Sequence, residues 1–539
     1  MRKKIVITGC GVVAADSIAK VKHLDFPGFD FPVGEVDFSD ADLKKILNIP
    51  TEKEVSRTAL LGIYALRQAA DNAGVAAKTP GRKSLISGTT VGGMDLTEKY
   101  WQSIDSHADI MRQHDCGACT GLTADFLGFF DECNTVSTAC SSGANAILEG
   151  AEMLEAGLSD IVFAGGAEAL TKFHLMGFSS LMILDKDVCR PFADNRAGLN
   201  LGEGAAFVVM ETEENALKRG AKILCYFAGG GNACDAFHQT ASSPNGEGAY
   251  LAMAQAIINA NITATDIQYV NAHGTGTVNN DASETAALRR IFGEKLPKIE
   301  STKSITGHTT SAAGAIEAVI CIKKMQEDPA LQYVMDNSFG FGGNDTSLIF
   351  SRQDTSSNAN FYDDNIQIET VAKVELTSED EIAEIKNFLK PAECRRMGKL
   401  LKSSLLTSLK ALQQSGITVP DAIITATTLG CWENSEKILD DLLEPKPTLF
   451  MQSTHNTIGS NIAIYLKSHG YNITYTQGAE SLARAVRKAE LLIKSGKANT
   501  VLVGVHDETT PKYRELMQKC GVDGLKPIYS MAMVMKRAS

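Results

Sequence analysis

Cys140, in the segment NTVSTACSSGANA, lies between an apolar stretch and a helix-forming run that opens on small residues. A thiol at a helix N-terminus meets unpaired N–H groups and the positive end of the macrodipole, which favour a thiolate. Ala139, Ser141, Ser142 and Gly143 leave room for a carbonyl substrate beside it. A buried structural cysteine fits this motif, taken alone, equally well. His273 in NAHGTGT and His308 in KSITGHTTSAAGAIEA each stand in a Gly/Ser/Thr-rich turn after a strand-like run or before a small-residue helix. α/β proteins present polar groups at such strand ends. Singly, each histidine reads as structural. Together with Cys140 they compose a nucleophile with two imidazoles, a set suited to acyl transfer. A fourth motif, SFGFGGNDTSLIF, carries Gly340, Gly342 and Gly343, which permit a tight turn or a close backbone approach.

The elements that must hold these groups follow from the pattern. The strand-like runs 3–8, 161–167, 205–211 and 267–274 alternate with helical runs over 56–74, 141–157 and 250–262. That order predicts a layered α/β protein. With 539 residues, 44% of them hydrophobic, the chain can bury a sizeable core, so disorder is excluded as its main state. No apolar run approaches the roughly 18 residues of a membrane span. A net charge of −12 speaks against general nucleic-acid binding, which wants a basic face. The start, MRKKIVITGCGVV, is interrupted by Thr8, Gly9 and Gly11 and reads as a first strand instead of a secretion signal. Twelve cysteines in such a chain predict a reduced, cytoplasmic protein. Cys116 and Cys119 form one CxxC with no second pair to complete a zinc site, and no metal is expected. The run 7–14 fits a dinucleotide fingerprint, but the stretch after it is broken by Pro27 and no acidic strand end follows. A nucleotide-dependent oxidoreductase is the reading this run would support.

Residues 352–365 are polar and aperiodic and predict a linker. Beyond it the sequence repeats itself. Thr89 and Thr90 answer to Thr427 and Thr428, Gly121 to Gly459, Asn134 to Asn472 and Thr138 to Thr476, all at an offset of 338 (427 − 89). Such a repeat means one supersecondary unit used twice. In this register Cys140 falls opposite Gly478, so the copy lacks the nucleophile.

Taken together, the segments VITGCGVV, NTVSTACSSG, CRPFADNRAGLNLGEGAA, GNACDAFHQTASSPNGEG, NAHGTGTVNNDASE, KSITGHTTSAAGAIEA and NSFGFGG resemble the β-ketoacyl-acyl-carrier-protein synthases. These are the elongating condensing enzymes of type II fatty-acid and polyketide synthesis, and the likeness runs over residues 1–351. It implies a thiolase-like α-β-α-β-α body of two pseudo-dyad halves, 1–215 with Cys140 and 216–351 with His273 and His308. Residues 366–539 add a third α/β half-unit that copies the first.

The resemblance also implies a reaction. Cys140 takes an acyl group as a thioester, and a malonyl thioester then enters. His273 and His308 donate to the malonyl thioester oxygen while carbon dioxide leaves. The N–H groups of Cys140 and Phe341 hold the oxyanion of the condensation step. Lys303 and Glu317 form a supporting polar pair, Thr275 and Thr277 bond the pantetheine arm, and Phe341 gates the cysteine. No cofactor is expected, since pantetheine belongs to the substrate. The implied partners are acyl carrier protein, malonyl and acyl thioesters, and a second protomer, in a homodimer joined through N-terminal halves or with a homologous synthase subunit. The alternative is a non-catalytic partner that shapes chain length or scaffolds another synthase; Cys140 with both histidines argues against it. Departures are a short stretch over 14–55 and Asn344-Asp345 where Thr-Asn is usual. The added unit either serves dimerisation, channel shaping or carrier docking or is a fusion with packing value alone, two readings the sequence leaves equal.

Overall fold

The computed structural model describes residues 3–24, 26, 28–355, 362–376, 378–444 and 446–538. Pro27 and residues 356–361 of the expected linker lie outside the described residues. The strands fall into three groups of five. The first unit holds β1 (Ile5–Ala14), β2 (Lys83–Gly88), β3 (Glu132–Val136), β4 (Ile161–Glu168) and β5 (Gly204–Thr212). The second holds β6 (Cys225–Cys234), β7 (Tyr269–Asn271), β8 (Lys298–Glu300), β9 (Tyr333–Gly340) and β10 (Asn344–Ser351). The third holds β11 (Ile368–Glu375), β12 (Ala422–Ala426), β13 (Tyr471–Tyr475), β14 (Thr500–Glu508) and β15 (Ile528–Arg537). All join in one sheet, in the order β11-β15-β14-β12-β13-β3-β2-β4-β5-β1-β6-β10-β9-β7-β8.

Helices α1 (Arg57–Ala73), α2 (Cys116–Leu127) and α3 (Ser142–Ala156) belong to the first unit. Helices α4 (Glu247–Ala260), α5 (Val278–Phe292) and α6 (Ala313–Glu327) belong to the second, and α7 (Lys399–Ser415), α8 (Thr457–Leu466) and α9 (Ser481–Lys494) to the third. α3 and α6 touch each other and strands of both first units, which makes them a central helical layer. α1 covers the far face of the first unit and α4 that of the second. Strands covered on both faces are largely apolar, and β4 is buried at every position, its one acid, Glu168, bonded by Thr89. This is the thiolase-like body with a third unit added.

The dinucleotide fingerprint fails here. Gly9 and Gly11 lie inside β1, paired antiparallel with β5, and the next helix begins only at Asp40. Their role is packing: a Cβ on Gly11 would come within 2.0 Å of the Ala65 carbonyl on α1.

The third unit extends the sheet past β3. Tyr475 of β13 pairs antiparallel with Val136. The Ser137 N–H donates to the Thr474 carbonyl and the Thr476 N–H to the Thr135 carbonyl, both at 3.0 Å. Charges cross the seam in one sense. Buried Glu152 takes Lys488 and, at 2.7 Å, Lys497. The Tyr475 hydroxyl donates to Glu149 at 2.6 Å, and Arg484 and Arg487 clasp Glu132.

The copied elements also correct the expected register. Ala139 (φ 51°) and Gly478 (φ 54°) open matching turns. The Thr138 N–H donates to Ser142 Oγ at 2.9 Å and the Gln477 N–H to Ser481 Oγ at 2.8 Å. The offset there is therefore 339 (478 − 139), whereas Thr89 and Thr427 keep 338. One residue is inserted between these regions, beyond the reach of a constant-offset comparison. Ala479, instead of Gly478, stands opposite Cys140.

Candidate active site

Cys140 sits in a single 3-10 turn that leads directly into α3. Ala139 is held left-handed, a backbone state that costs an alanine roughly 1 kcal/mol. Neighbours fix it there. The Ser142 hydroxyl donates to the Ala139 carbonyl at 2.7 Å and the Asn145 amide to Thr138 Oγ1 at 2.9 Å. Asn145 in turn accepts from Asn232 of β6 and Thr346 of β10, both at 2.8 Å. Gly340 lets the following turn close on this elbow: a Cβ there would lie 2.7 Å from the Thr138 carbonyl.

β7 ends at Asn271, earlier than the run to 274 predicted, so His273 leaves the sheet and enters the site. Glu284 on α5 positions it by accepting the N–H groups of His273 (2.9 Å) and Gly274 (2.8 Å). Burial lifts the Glu284 carboxyl to about 7. His308 is fixed by its backbone, donating to the Asn200 carbonyl at 2.7 Å and accepting from Gly202 at 3.0 Å. Its Nε2 lies 3.1 Å from Cys140 Sγ, and the two imidazole centroids are 5.2 Å apart, edge to face. Neither Nδ1 has a hydrogen-bond partner among the described residues, so no bond fixes the tautomers.

The electrostatics differ from the helix-terminus expectation. Burial pushes the Cys140 thiol up to about 11, against a smaller downward pull from the Phe341 N–H, the Lys303 charge and its own N–H. The local helix end is outweighed by the loss of water around the sulfur. Burial first, then the Lys303 charge, holds both histidines well below their usual range. The resting site is a neutral thiol beside two neutral imidazoles.

Cys140, His273, His308, Thr275, Thr277 and Phe341 line one cavity of about 410 Å³. The two threonine hydroxyls lie 2.9 Å apart. Phe341 stacks on Phe178 with centroids 5.7 Å apart. Lys303, expected with the catalytic groups, does not reach this cavity. It is buried, bonds Glu317 at 2.6 Å, and acts on the histidines through its charge. Burial raises the carboxyls of Glu317 and Asp336, Asp336 further. The donor atoms of Cys140, His273 and His308 fall within 4.8 Å of one another, the one such group among the described residues. A cation there would face the Lys303 ammonium, so the set reads as nucleophile and imidazoles, not as a metal centre.

Glu284, Asn145 and Asn232 are positioning residues that spacing did not mark. A buried acid eleven residues after His273, on the next helix, was the available signal for Glu284. Residues of the third unit also reach the elbow, with His455 Nδ1 lying 3.2 Å from Ser137 Oγ.

With this geometry in hand, comparisons with known proteins are specific. Residues 39–216 match the family described as "Beta-ketoacyl synthase, N-terminal domain" and residues 224–333 the "Beta-ketoacyl synthase, C-terminal domain". Residues 369–539 match a second N-terminal-domain family of the same description. The chain is similar to the 3-oxoacyl-[acyl-carrier-protein] synthase 2 of Staphylococcus aureus (strain COL), at 30% identity over 410 residues, 65% of this chain and 98% of that one. It is 32% identical to nodulation protein E of Rhizobium meliloti (strain 1021) over 346 residues, 57% of this chain and 85% of that one. Among solved structures, the ishigamide ketosynthase/chain length factor is 28% identical, with a TM-score of 0.61 over 66% of this chain and 100% of that one. The PfaC keto synthase-chain length factor shares the fold over 99% of this chain and 78% of that one, with a TM-score of 0.79 at 16% identity. No helix among the described residues is long and apolar enough to cross a membrane. The chain belongs to the β-ketoacyl synthase family of condensing acyltransferases, with an additional N-terminal-type unit at its C-terminal end.

Proposed function

We propose that the protein is a β-ketoacyl-acyl-carrier-protein synthase whose chemistry is carried by Cys140, His273 and His308. The observation that carries this reading is the thiol 3.1 Å from His308 Nε2 with the second imidazole beside it, in a cavity that opens past two threonines. The acyl thioester of a carrier protein enters there, its pantetheine arm along Thr275 and Thr277. As Cys140 Sγ attacks the thioester carbonyl, its proton passes to His308 Nε2 and then to the departing pantetheine sulfur. The N–H groups of Phe341 and Cys140 point at the sulfur and stabilise the oxyanion. A malonyl thioester follows. Neutral His273 and His308, the latter now in its Nε2–H tautomer, donate to its carbonyl oxygen, carbon dioxide leaves, and the enolate carbon attacks the acyl-Cys140 carbonyl, releasing Sγ as a thiolate that regains its proton from water. Burial, helped by the lysine charge behind them, keeps the histidines unprotonated, so they serve as donors and as proton acceptor without a standing charge. Fatty-acid and polyene or polyketide pathways both use this reaction. The test is acylation by a labelled acyl-carrier protein followed by peptide mass spectrometry. The label resides on Cys140 and vanishes in Cys140→Ser, while His273→Ala still acylates but loses malonyl decarboxylation. Labelling elsewhere, or loss of acylation in His273→Ala, contradicts these roles.

Pairing through β3 is intramolecular in this reading. The first-unit residue at the position of Lys488 is Glu149, 339 earlier, so two first units joined across this seam would set Glu149 against Glu152. An isologous dimer repeats each contact about its axis, and here that repeats a buried like-charge pair. A homodimer of this chain would therefore use another surface.

A further inference from the structure

The turn Gly340–Gly343 brings Phe341 to Cys140, and the third unit holds this turn from its far side. Asn456 is the N-cap residue of α8, yet its side chain makes no bond to that helix. Its Nδ2 instead donates to the Phe341 carbonyl at 2.8 Å and to Asn344 Oδ1 at 2.7 Å. Ser460, one turn along α8, donates to the same Asn344 oxygen at 3.1 Å. Asparagine is among the best capping residues, so forgoing the cap sacrifices local helix stability. Asn456 Oδ1 is left buried without a partner among the described residues, a second local cost. Gly342 has φ +85°, and a Cβ there would lie 2.2 Å from Ser460 Oγ, so glycine is what lets α8 come this close.

The pseudo-dyad supplies an internal control. Helices α2 and α8 end on left-handed caps 339 apart, Gly128 and Lys467, which sets Gly121 opposite Ser460 instead of Gly459 and Gly117 opposite Asn456. Gly117 faces the Thr476 carbonyl and Gln477, at the elbow without a cysteine. Among the described residues the third unit is joined to no strand pair like β9 and β10, and so offers no gate turn for those positions to hold. At these two helix positions, polar side chains stand where a gate turn receives them and glycines stand where none does.

We propose that Asn456, seconded by Ser460, is a positioning residue of the active site. It fixes the Phe341 carbonyl on one side of the residue, while Gly340 is wedged against the Cys140 elbow on the other. Between them the Phe341 N–H keeps its aim at the reacting carbonyl. The third unit thereby acts on the acyl-transfer step without contributing a reacting atom. The proposal rests on the reading of Phe341 N–H as an oxyanion donor.

The experiment uses the full chain with Asn456→Asp, which keeps the shape but turns a donor into a carboxylate, and Asn456→Ala. Three quantities are read: Cys140 acylation from an acyl-pantetheine thioester, carbon dioxide release from malonyl-pantetheine, and hydrogen exchange of peptides covering 339–345 and α3. Acylation falls about 10- to 100-fold, less than or near the loss of a whole oxyanion donor. Decarboxylation stays within about twofold, and exchange quickens at 339–345 but not in α3. Unchanged acylation overturns the proposal. So does an equal loss of both half-reactions with faster exchange throughout the third unit, which would mark a purely structural residue. A parent chain that acylates nothing at Cys140 while Asn456→Asp still frees the turn would refute the oxyanion reading itself, and the proposal with it.

Discussion

The first and third units keep the same scaffold and divide on chemistry. In both, a threonine pair on the turn after the second strand bonds an acid at the end of the fourth: Thr89 to Glu168 at 2.8 Å, Thr427 to Asp507 at 2.9 Å. In both, a serine hydroxyl closes a left-handed elbow. The live elbow holds a strained alanine before Cys140, and the silent one has relaxed to Gly478 before Ala479. The helices after the elbows diverge for a packing reason. α3 is buried along nearly its whole length because α6 lies beside it. α9 has no such neighbour; it exposes Ala483 and Glu490 and turns Arg484, Arg487 and Lys488 toward acids of the first unit. At the sheet's end β11 carries Glu369, Lys373 and Glu375, charges that blunt an open edge. The third unit is thus finished as an edge and as a partner. The elbow belongs to the fold, and reactivity needs a sulfur together with imidazoles from the second unit.

The sharpest way to break this comparison is to move the sulfur. Cys140→Ala should lower acyl transfer by at least about 10⁴-fold, and adding Ala479→Cys should restore none of it. Acylation of the relocated thiol would show that the elbow alone suffices. The next largest effect lies at the seam. Lys488→Glu sets a carboxylate against buried Glu152 and should cost more than about 3 kcal/mol in denaturant unfolding. A cost below about 1 kcal/mol would mean that solvent screens the seam.

The smallest effect concerns the thiol. With its value near 11, the rate of Cys140 alkylation should climb about tenfold per pH unit from 8 and level only near there. The native state holds this proton more tightly than the unfolded chain, so the same shift lowers stability as pH rises from about 9 to about 11. A plateau near pH 7 would restore the helix-terminus view.

Much of the site could be read from the sequence because each group is announced locally. Cys140, His273, His308 and Phe341 all sit among glycines, serines and threonines, three of them where a strand gives way to a turn and His308 between two short helical turns. The third unit was visible as a repeat for the same reason. What escaped depends on contacts remote in sequence. The ionisation of Cys140 is decided by everything that excludes water from it, not by the helix that follows. Glu284 looks like any acid on a helix until β7 ends and delivers two N–H groups to it. Asn456 looks like an ordinary cap, and only the fold shows its amide turned to a carbonyl 115 residues earlier in the chain. The one-residue slip at Gly478 came from an insertion that no constant offset can follow, and the fingerprint at Gly9 and Gly11 arose from helix packing.

Native mass spectrometry of the full chain, after incubation with excess acyl thioester, weighs the central claim in one step. The account predicts one acyl group per 57.7 kDa chain, on Cys140. An unmodified chain, an acyl group on any other residue, or a dimer that falls apart when the β3 edge is mutated would contradict it.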